Sequence, residues 1–157
     1  MGTKKDTGIK IMLIDDEKKG NIIKKQYNDA ILIGNHILNK YQWTTQNPYR
    51  LSIATNNINH NDNEFYNVFY RSKEWFQKIK HDIISQDYSS YNIISLTPSM
   101  CLADAILYND SFNGLNPDDY EIPDEEKENF KKACKIFNIS ENTCEKWLNN
   151  SNLFCYK

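Results

Sequence analysis

The segment Pro123–Asn150, PDEEKENFKKACKIFNISENTCEKWLNN, constrains the fold more than any other part of this 157-residue chain. Proline is tolerated in a first helical turn, and Asp124, Glu125 and Glu126 complement the positive end of a helix dipole, so a helix is predicted from Pro123. Phe130, Ala133, Cys134 and Phe137 follow at i, i+3, i+4 and i+7, which is one apolar stripe. Ser140 suits the N-cap of a second helix, and Ile139 and Cys144 flank it in the positions of a hydrophobic staple. Cys144, Trp147 and Leu148 continue the buried side. Two short helices joined by Asn138-Ile139-Ser140, with facing stripes, form a helical corner.

That corner resembles the helix-turn-helix family of DNA-binding motifs. In the family a small residue in the first helix lets the second pack closely, and Ala133 and Cys134 occupy that place. The turn position usually held by Gly is Asn138, a residue that tolerates left-handed backbone. Ala133, Phe137, Ile139, Cys144 and Trp147 meet the apolar positions. The resemblance implies that Asn142, Thr143, Lys146 and Asn149 face a partner, since they lie on the outer side of the second helix. Charge weighs against DNA as that partner. Affinity for DNA rests largely on phosphate neutralisation by Lys and Arg, yet the same surface carries Glu141 and Glu145. From Pro98 onward there are 11 Asp and Glu against 6 Lys, whereas the chain before it has 13 Lys and Arg against 10 acids. A protein partner fits this acidic corner at least as well.

Ahead of the corner, a polar tail over residues 1–8 leads to Ile9–Ile14, a short apolar run predicted as a buried strand. The helical period of Ile23, Tyr27, Ala30, Ile31, Ile37, Leu38 and Tyr41 predicts one long helix from Lys18 to about Tyr41, weakened at Gly34. Arg50–Thr55 alternates as a strand. The polar run Asn56–Asn63 is expected to be the most mobile loop. Phe65, Val68, Phe69, Phe76, Ile79 and Ile83 predict a second long helix to about Ser85. Tyr91–Leu96 reads as a third strand, and Thr97-Pro98-Ser99 starts a helix through Tyr108, followed by a loop at Asn113-Gly114. The expected architecture is an α-rich α/β domain. A small sheet of about three strands, packed by long helices, occupies residues 9–120, and the corner occupies residues 121–157 as part of the domain or a small appendage.

The first strand supports a second resemblance. Ile11-Met12-Leu13-Ile14-Asp15-Asp16-Glu17 before a Lys-rich helix is similar to the opening of response-regulator receiver domains, and Tyr91–Pro98 is similar to their phospho-accepting strand. The resemblance implies that Asp15 and Asp16 hold Mg²⁺ for phosphoryl transfer. Thr97 stands where the phospho-accepting aspartate would be, so a non-phosphorylated receiver is the version implied. The simpler reading is that these acids cap the following helix and complement its dipole.

His36, His60 and His81 have no metal-ligand spacing with each other or with a cysteine. Ser99 and Cys101 lie near a predicted helix start, where a nucleophile could sit, but no base can be paired with either. They read as a capping serine and a buried thiol. On the predicted 65–85 helix, Tyr66, Tyr70 and Trp75 fall off the apolar stripe beside Arg71 and Lys78, which predicts an aromatic-basic surface for a protein or nucleic acid.

The polar start, the lack of a long apolar run and four scattered cysteines predict a cytoplasmic, reduced protein with no membrane contact. Abundant Asn, Ile, Lys and Tyr suggest an AT-rich coding genome, such as that of a low-GC bacterium, its phage, or a eukaryotic virus or parasite. Together these features predict a small regulatory binding protein, phage or mobile-element encoded, acting stoichiometrically and without a cofactor on a protein or DNA. The alternatives are the receiver-like domain with Mg²⁺, and an inhibitor whose acidic surface fills a partner's basic site.

Overall fold

A five-stranded mixed sheet forms the centre of the chain in the computed structural model, which describes residues 15–84, 90–108 and 115–154. Helix α1 (Asp16–Gln26) opens the described residues, with the Asp15 side chain accepting from the Lys18 N–H at 2.8 Å and Asp16 and Glu17 in its first turn. The strand expected over Ile9–Ile14 and the loop at Asn113-Gly114 lie outside the described residues.

The long helix expected from Lys18 to Tyr41 is instead three elements: α1, strand β1 (Ile31–Ile33) and helix α2 (Asn35–Lys40). All three β1 residues are buried, so they show no in-out alternation, and a fully buried strand cannot be told from a helical stripe by period alone. Gly34 takes φ 88° between β1 and α2, a left-handed backbone that stops a continuous helix. Strand β2 (Leu51–Thr55) forms where the sequence predicts it.

The second expected helix is also overturned. Residues 66–84 form strand β3 (Tyr66–Tyr70), helix α3 (Lys73–Lys78) and strand β4 (Ile83–Ile84). Aromatic and β-branched side chains fit a pleated strand, and Tyr66 and Val68 point inward while Phe69 and Tyr70 are more exposed. Ser72 then caps α3, its side chain accepting from the Trp75 N–H at 3.2 Å. Strand β5 (Ser95–Leu96) covers only the end of the run expected to be a strand, and helix α4 (Pro98–Tyr108) follows as predicted. The 3-10 turns Pro117–Asp119 and Asp124–Glu126 lead to helices α5 (Lys127–Ile136) and α6 (Glu141–Phe154).

The sheet order is β3-β2-β1-β5-β4, five strands among described residues for which the sequence predicts two. Strands β1 and β5 are parallel, as are β2 and β3, while β1–β2 and β4–β5 are antiparallel. The edge strand β3 is covered by the polar loop before it. The Asn63 N–H donates to the Tyr66 carbonyl at 2.8 Å and the Val68 N–H to Asp62 Oδ1 at 2.9 Å, which occupies backbone that would otherwise invite another strand. The same loop, expected to be mobile, is tied again by Asp29, which accepts from the Thr55 hydroxyl at 2.6 Å and the Asn56 N–H at 2.8 Å.

Helix α4 is buried from Pro98 through Ala105 and packs against α2 and α5. A helix apolar around most of its circumference belongs in a core. The stripes of α5 and α6 join the same core through Phe130, Ala133, Phe137, Trp147 and Leu148. Their turn is fixed locally: Asn138 has φ 59°, the Ile139 N–H reaches the Cys134 carbonyl at 2.8 Å, and the Thr143 N–H donates to Ser140 Oγ at 3.2 Å. Ser140→Ala is therefore expected to cost about 1 kcal/mol. Chemical denaturation would read this directly, and an unchanged midpoint would show that the start of α6 is held by other contacts.

Candidate functional site

The residues singled out in the sequence divide into an exposed group and a buried one. On α6, Asn142, Lys146 and Asn149 are exposed with Glu141 and Glu145, while Thr143 is half-buried, its hydroxyl accepting from Ser140 Oγ at 2.9 Å. Cys144, Trp147 and Leu148 anchor the opposite side of the helix. The aromatic-basic surface expected on residues 64–84 is not assembled. Tyr66, Arg71 and Trp75 have relative exposures of 1%, 1% and 2%, which leaves Tyr70 and Lys78 at the surface.

Arg71 is buried because Asp104 of α4 meets it. Arg71 Nε donates to Asp104 Oδ1 at 3.1 Å and Nη2 to Oδ2 at 3.0 Å, the two-pronged geometry that suits a guanidinium. Trp75 Nε1 donates to the same Oδ1 at 2.6 Å, Arg71 Nη1 reaches the Tyr70 carbonyl at 3.0 Å, and the Tyr108 ring lies 3.9 Å from the guanidinium carbon. This cluster joins β3, α3 and α4.

The acids at the start of α1 are engaged in local bonds. Asp15 caps the helix, and Asp16 Oδ2 accepts from Ser90 Oγ at 2.9 Å. Among the described residues, no group of three or more His, Cys, Asp and Glu is placed to hold a metal ion. Cys101 is fully buried, with its sulfur between the Gly34 N–H at 3.0 Å and the Gly34 carbonyl at 3.3 Å. Burial, then the nearby Asp104, pushes this thiol well up, so it stays protonated and unreactive. The nucleophile reading of Cys101 has no support here.

A cavity of about 500 Å³ opens at the carboxyl end of β5. Its floor is the first turn of α4, Thr97 to Met100, and its walls come from Tyr41 and Trp43 after α2, from residues 81–83, and from Pro123 through α5. The helix cap is Thr97 rather than Ser99: the Met100 N–H donates to Thr97 Oγ1 at 3.3 Å. Ser99 also lines the cavity, is 3% exposed, and its Oγ has no hydrogen-bond partner. A buried hydroxyl without a partner lowers stability. Asp82, Glu125 and Glu126 line the same cavity with His81 and Lys132, and Glu126 Oε2 accepts from Asn129 Nδ2 at 2.9 Å.

No family model, curated protein or solved structure matches the chain. The site is therefore read from its own geometry. Sequence inspection notes Ser99 but cannot show that it lacks a partner, and it passes over Asp82, Tyr41 and Trp43. The one legible signal was a strand running directly into a helix start at Leu96-Thr97-Pro98-Ser99, because ligands collect at the carboxyl ends of parallel strands.

His36 lies half-buried in α2, with its Nδ1 buried and without a partner and its Nε2 3.5 Å from the Tyr91 hydroxyl. Burial and then the nearby Lys40 hold its pKa below the usual 6.5, with Asp16 acting the other way. Below pH 6.5 the unfolded chain takes up this proton more readily than the folded one, so stability falls as pH drops through that value. His36→Gln is expected to flatten the stability profile between about pH 7 and pH 5. Urea midpoints of both chains across that range check it, and parallel profiles would remove His36 as a contributor.

Proposed function

We propose that this chain is a small stoichiometric binding protein that meets a protein partner through the outer row of α6. The observation that carries the reading is the two-sided build of that helix. Cys144, Trp147 and Leu148 fix one side in the core, and Glu141, Asn142, Glu145, Lys146 and Asn149 stand exposed on the other. A capped turn sets the helix direction, so the polar row is preorganised, which lowers the entropy lost on binding. The two acids on that row favour a basic protein surface, and steering by complementary charge would speed encounter.

DNA is the second reading. It rests on the helix-turn-helix-like arrangement of α5 and α6 and on Asn142, Lys146 and Asn149, whose side chains are of the kind that reads base edges. A regulator of either kind fits the cytoplasm, and the three free, buried thiols Cys101, Cys134 and Cys144 support a reducing location. Among the described residues no helix is long and apolar enough to cross a membrane.

Capture from host extract with the wild-type chain and with Glu141→Lys/Glu145→Lys separates the readings. A partner held by the wild type and lost by the charge-reversed chain is the expected result. Capture that is indifferent to these substitutions overturns the α6 reading. A gel shift on DNA that weakens with salt, and strengthens on charge reversal, would move the assignment to DNA.

A further inference from the structure

We propose that Cys134 of α5 and Cys144 of α6 are a redox-modified pair, which hydrogen peroxide joins in a reversible disulfide that staples the two helices of the corner. The bond forms whether or not the outer row of α6 has a partner, so it stands apart from the function proposed above.

Of the three buried thiols, two are placed to meet. The left-handed turn at Asn138 and the Ser140 cap bring α6 back against α5, and there the Cys134 and Cys144 side chains hydrogen-bond to each other. Cys101 stands apart, its sulfur held by the backbone of Gly34. A disulfide needs side chains already aimed at one another, because diverging Cβ vectors cannot be joined without backbone movement. Thiols in hydrogen-bond contact meet that need. Both cysteines also line a groove of about 370 Å³ between α5 and α6, which gives a small oxidant its approach. Lys131, Lys132 and Lys135 line it with Glu128, Glu141 and Glu145, an even balance that does not repel an uncharged molecule such as hydrogen peroxide. Among the described residues no third ligand joins the two thiols in a metal site, so the chemistry open to them is that of the pair.

Exposure sets the order of events. Cys144 has a relative exposure of 7% against 2% for Cys134, so its sulfur meets peroxide first. The Cys144 thiolate attacks one peroxide oxygen and the O–O bond breaks. The departing hydroxide combines with the proton the thiol gave up, leaving water and a sulfenic acid. The Cys134 sulfur then attacks the Cys144 sulfur, the S–O bond breaks, and hydroxide leaves with the Cys134 proton as a second water. The pair gives up two electrons and two protons, which reduce one peroxide to two waters. Burial, and then the bond to Cys144, raises the Cys134 thiol, so it keeps its proton until that second step. A dithiol reductant reverses the bond by exchange.

The test is oxidation of the reduced, folded full chain with hydrogen peroxide. The remaining thiols are then alkylated under denaturing conditions and the tryptic peptides mapped by mass spectrometry. Cleavage after Lys132, Lys135 and Lys146 puts the two cysteines on separate peptides, residues 133–135 and 136–146. The expected result is those two peptides linked, two hydrogens lighter than their sum, and released by dithiothreitol. Oxidation should also raise the melting temperature by about 5–10 °C, because a short cross-linked loop restricts the unfolded chain. Cys134→Ser and Cys144→Ser should each lose the linked peptide and the rise in melting temperature, whereas Cys155→Ser should keep both. The wild-type map decides the pairing even where a variant does not fold. Three results overturn the proposal: Cys144 recovered as a sulfinic or sulfonic acid with Cys134 alkylated, a bond from either one to Cys155 or to a second copy, or full alkylation of all four thiols after peroxide. A linked chain whose melting temperature does not rise also overturns it, since the bond then staples nothing.

Discussion

Asp104→Ala is expected to remove about 3–5 kcal/mol of folding stability. The carboxylate is fully buried, and it accepts from Arg71 Nε and Nη2 and from Trp75 Nε1. Truncation takes from a guanidinium with a relative exposure of 1% the two carboxylate oxygens it donates to, and takes from the Trp75 indole N–H the same acceptor. Water cannot reach either group without opening the contact between β3, α3 and α4. Domains of this size are stable by about 5–15 kcal/mol, so the variant should lie near the edge of folding. At about 2–4 °C per kcal/mol, the melting temperature should drop by about 6–20 °C.

The design of the cluster can be separated from its net worth. Arg71→Met/Asp104→Leu removes both charges and is expected to recover much of the loss, because two well-packed apolar side chains avoid the desolvation cost of a buried pair. Trp75 keeps its unanswered N–H in that chain, so adding Trp75→Phe should recover more. Denaturant midpoints of the single, double and triple variants check the order. If Asp104→Ala costs less than about 1 kcal/mol, Arg71 finds water or another acceptor, and the pair is not the clamp described here.

This cluster also shows which parts of the sequence could be read. The acid and the base of this buried pair were hidden in different ways. Arg71 sits among Lys73, Lys78 and Lys80, where a solvated basic face is the natural expectation. Asp104 is the lone charge in PSMCLADAILY, an otherwise apolar helix, and that isolation was a legible hint of a buried partner. The pairing itself spans 33 positions, which no local pattern encodes. Segments whose local signals agree were legible: β2, α4, and the α5–α6 corner with Asn138 and Ser140 at its turn. Segments whose signals conflict were not. In 66–84 the spacing of Phe65, Val68 and Phe69 mimics a helix, and only pairing with β2 makes Tyr66–Tyr70 a strand. For the cavity, Ser99 was visible as a residue at a helix start. The cavity it borders is built by Tyr41, Asp82 and Glu125 converging from distant segments, and that exists only in the folded chain.

Gly20→Ala poses local preference against packing. Alanine at an interior helical position is favoured over glycine by about 1 kcal/mol, so α1 taken alone would gain stability. In the folded chain a Cβ at Gly20 would come 1.8 Å from the Tyr91 carbonyl oxygen and 2.8 Å from its carbon, both backbone atoms that cannot rotate away. The segment is also tied to α1 itself: Asn92 adopts φ 57°, and its carbonyl accepts from Lys24 Nζ of that helix at 3.3 Å. Relief therefore requires α1 to move off the segment leading into β5, which would draw fully buried Ile23 out of the core. Overpacking of this kind costs about 1–3 kcal/mol, and the upper end applies because the clash is with backbone. The net expectation is a loss of about 2 kcal/mol despite the better helix former. Hydrogen exchange should show the α1 amides losing protection before those of α4. A stabilised variant would mean that α1 does not rest on Tyr91, and the contacts from Asp16 and Lys24 to residues 90–92 would fall with it.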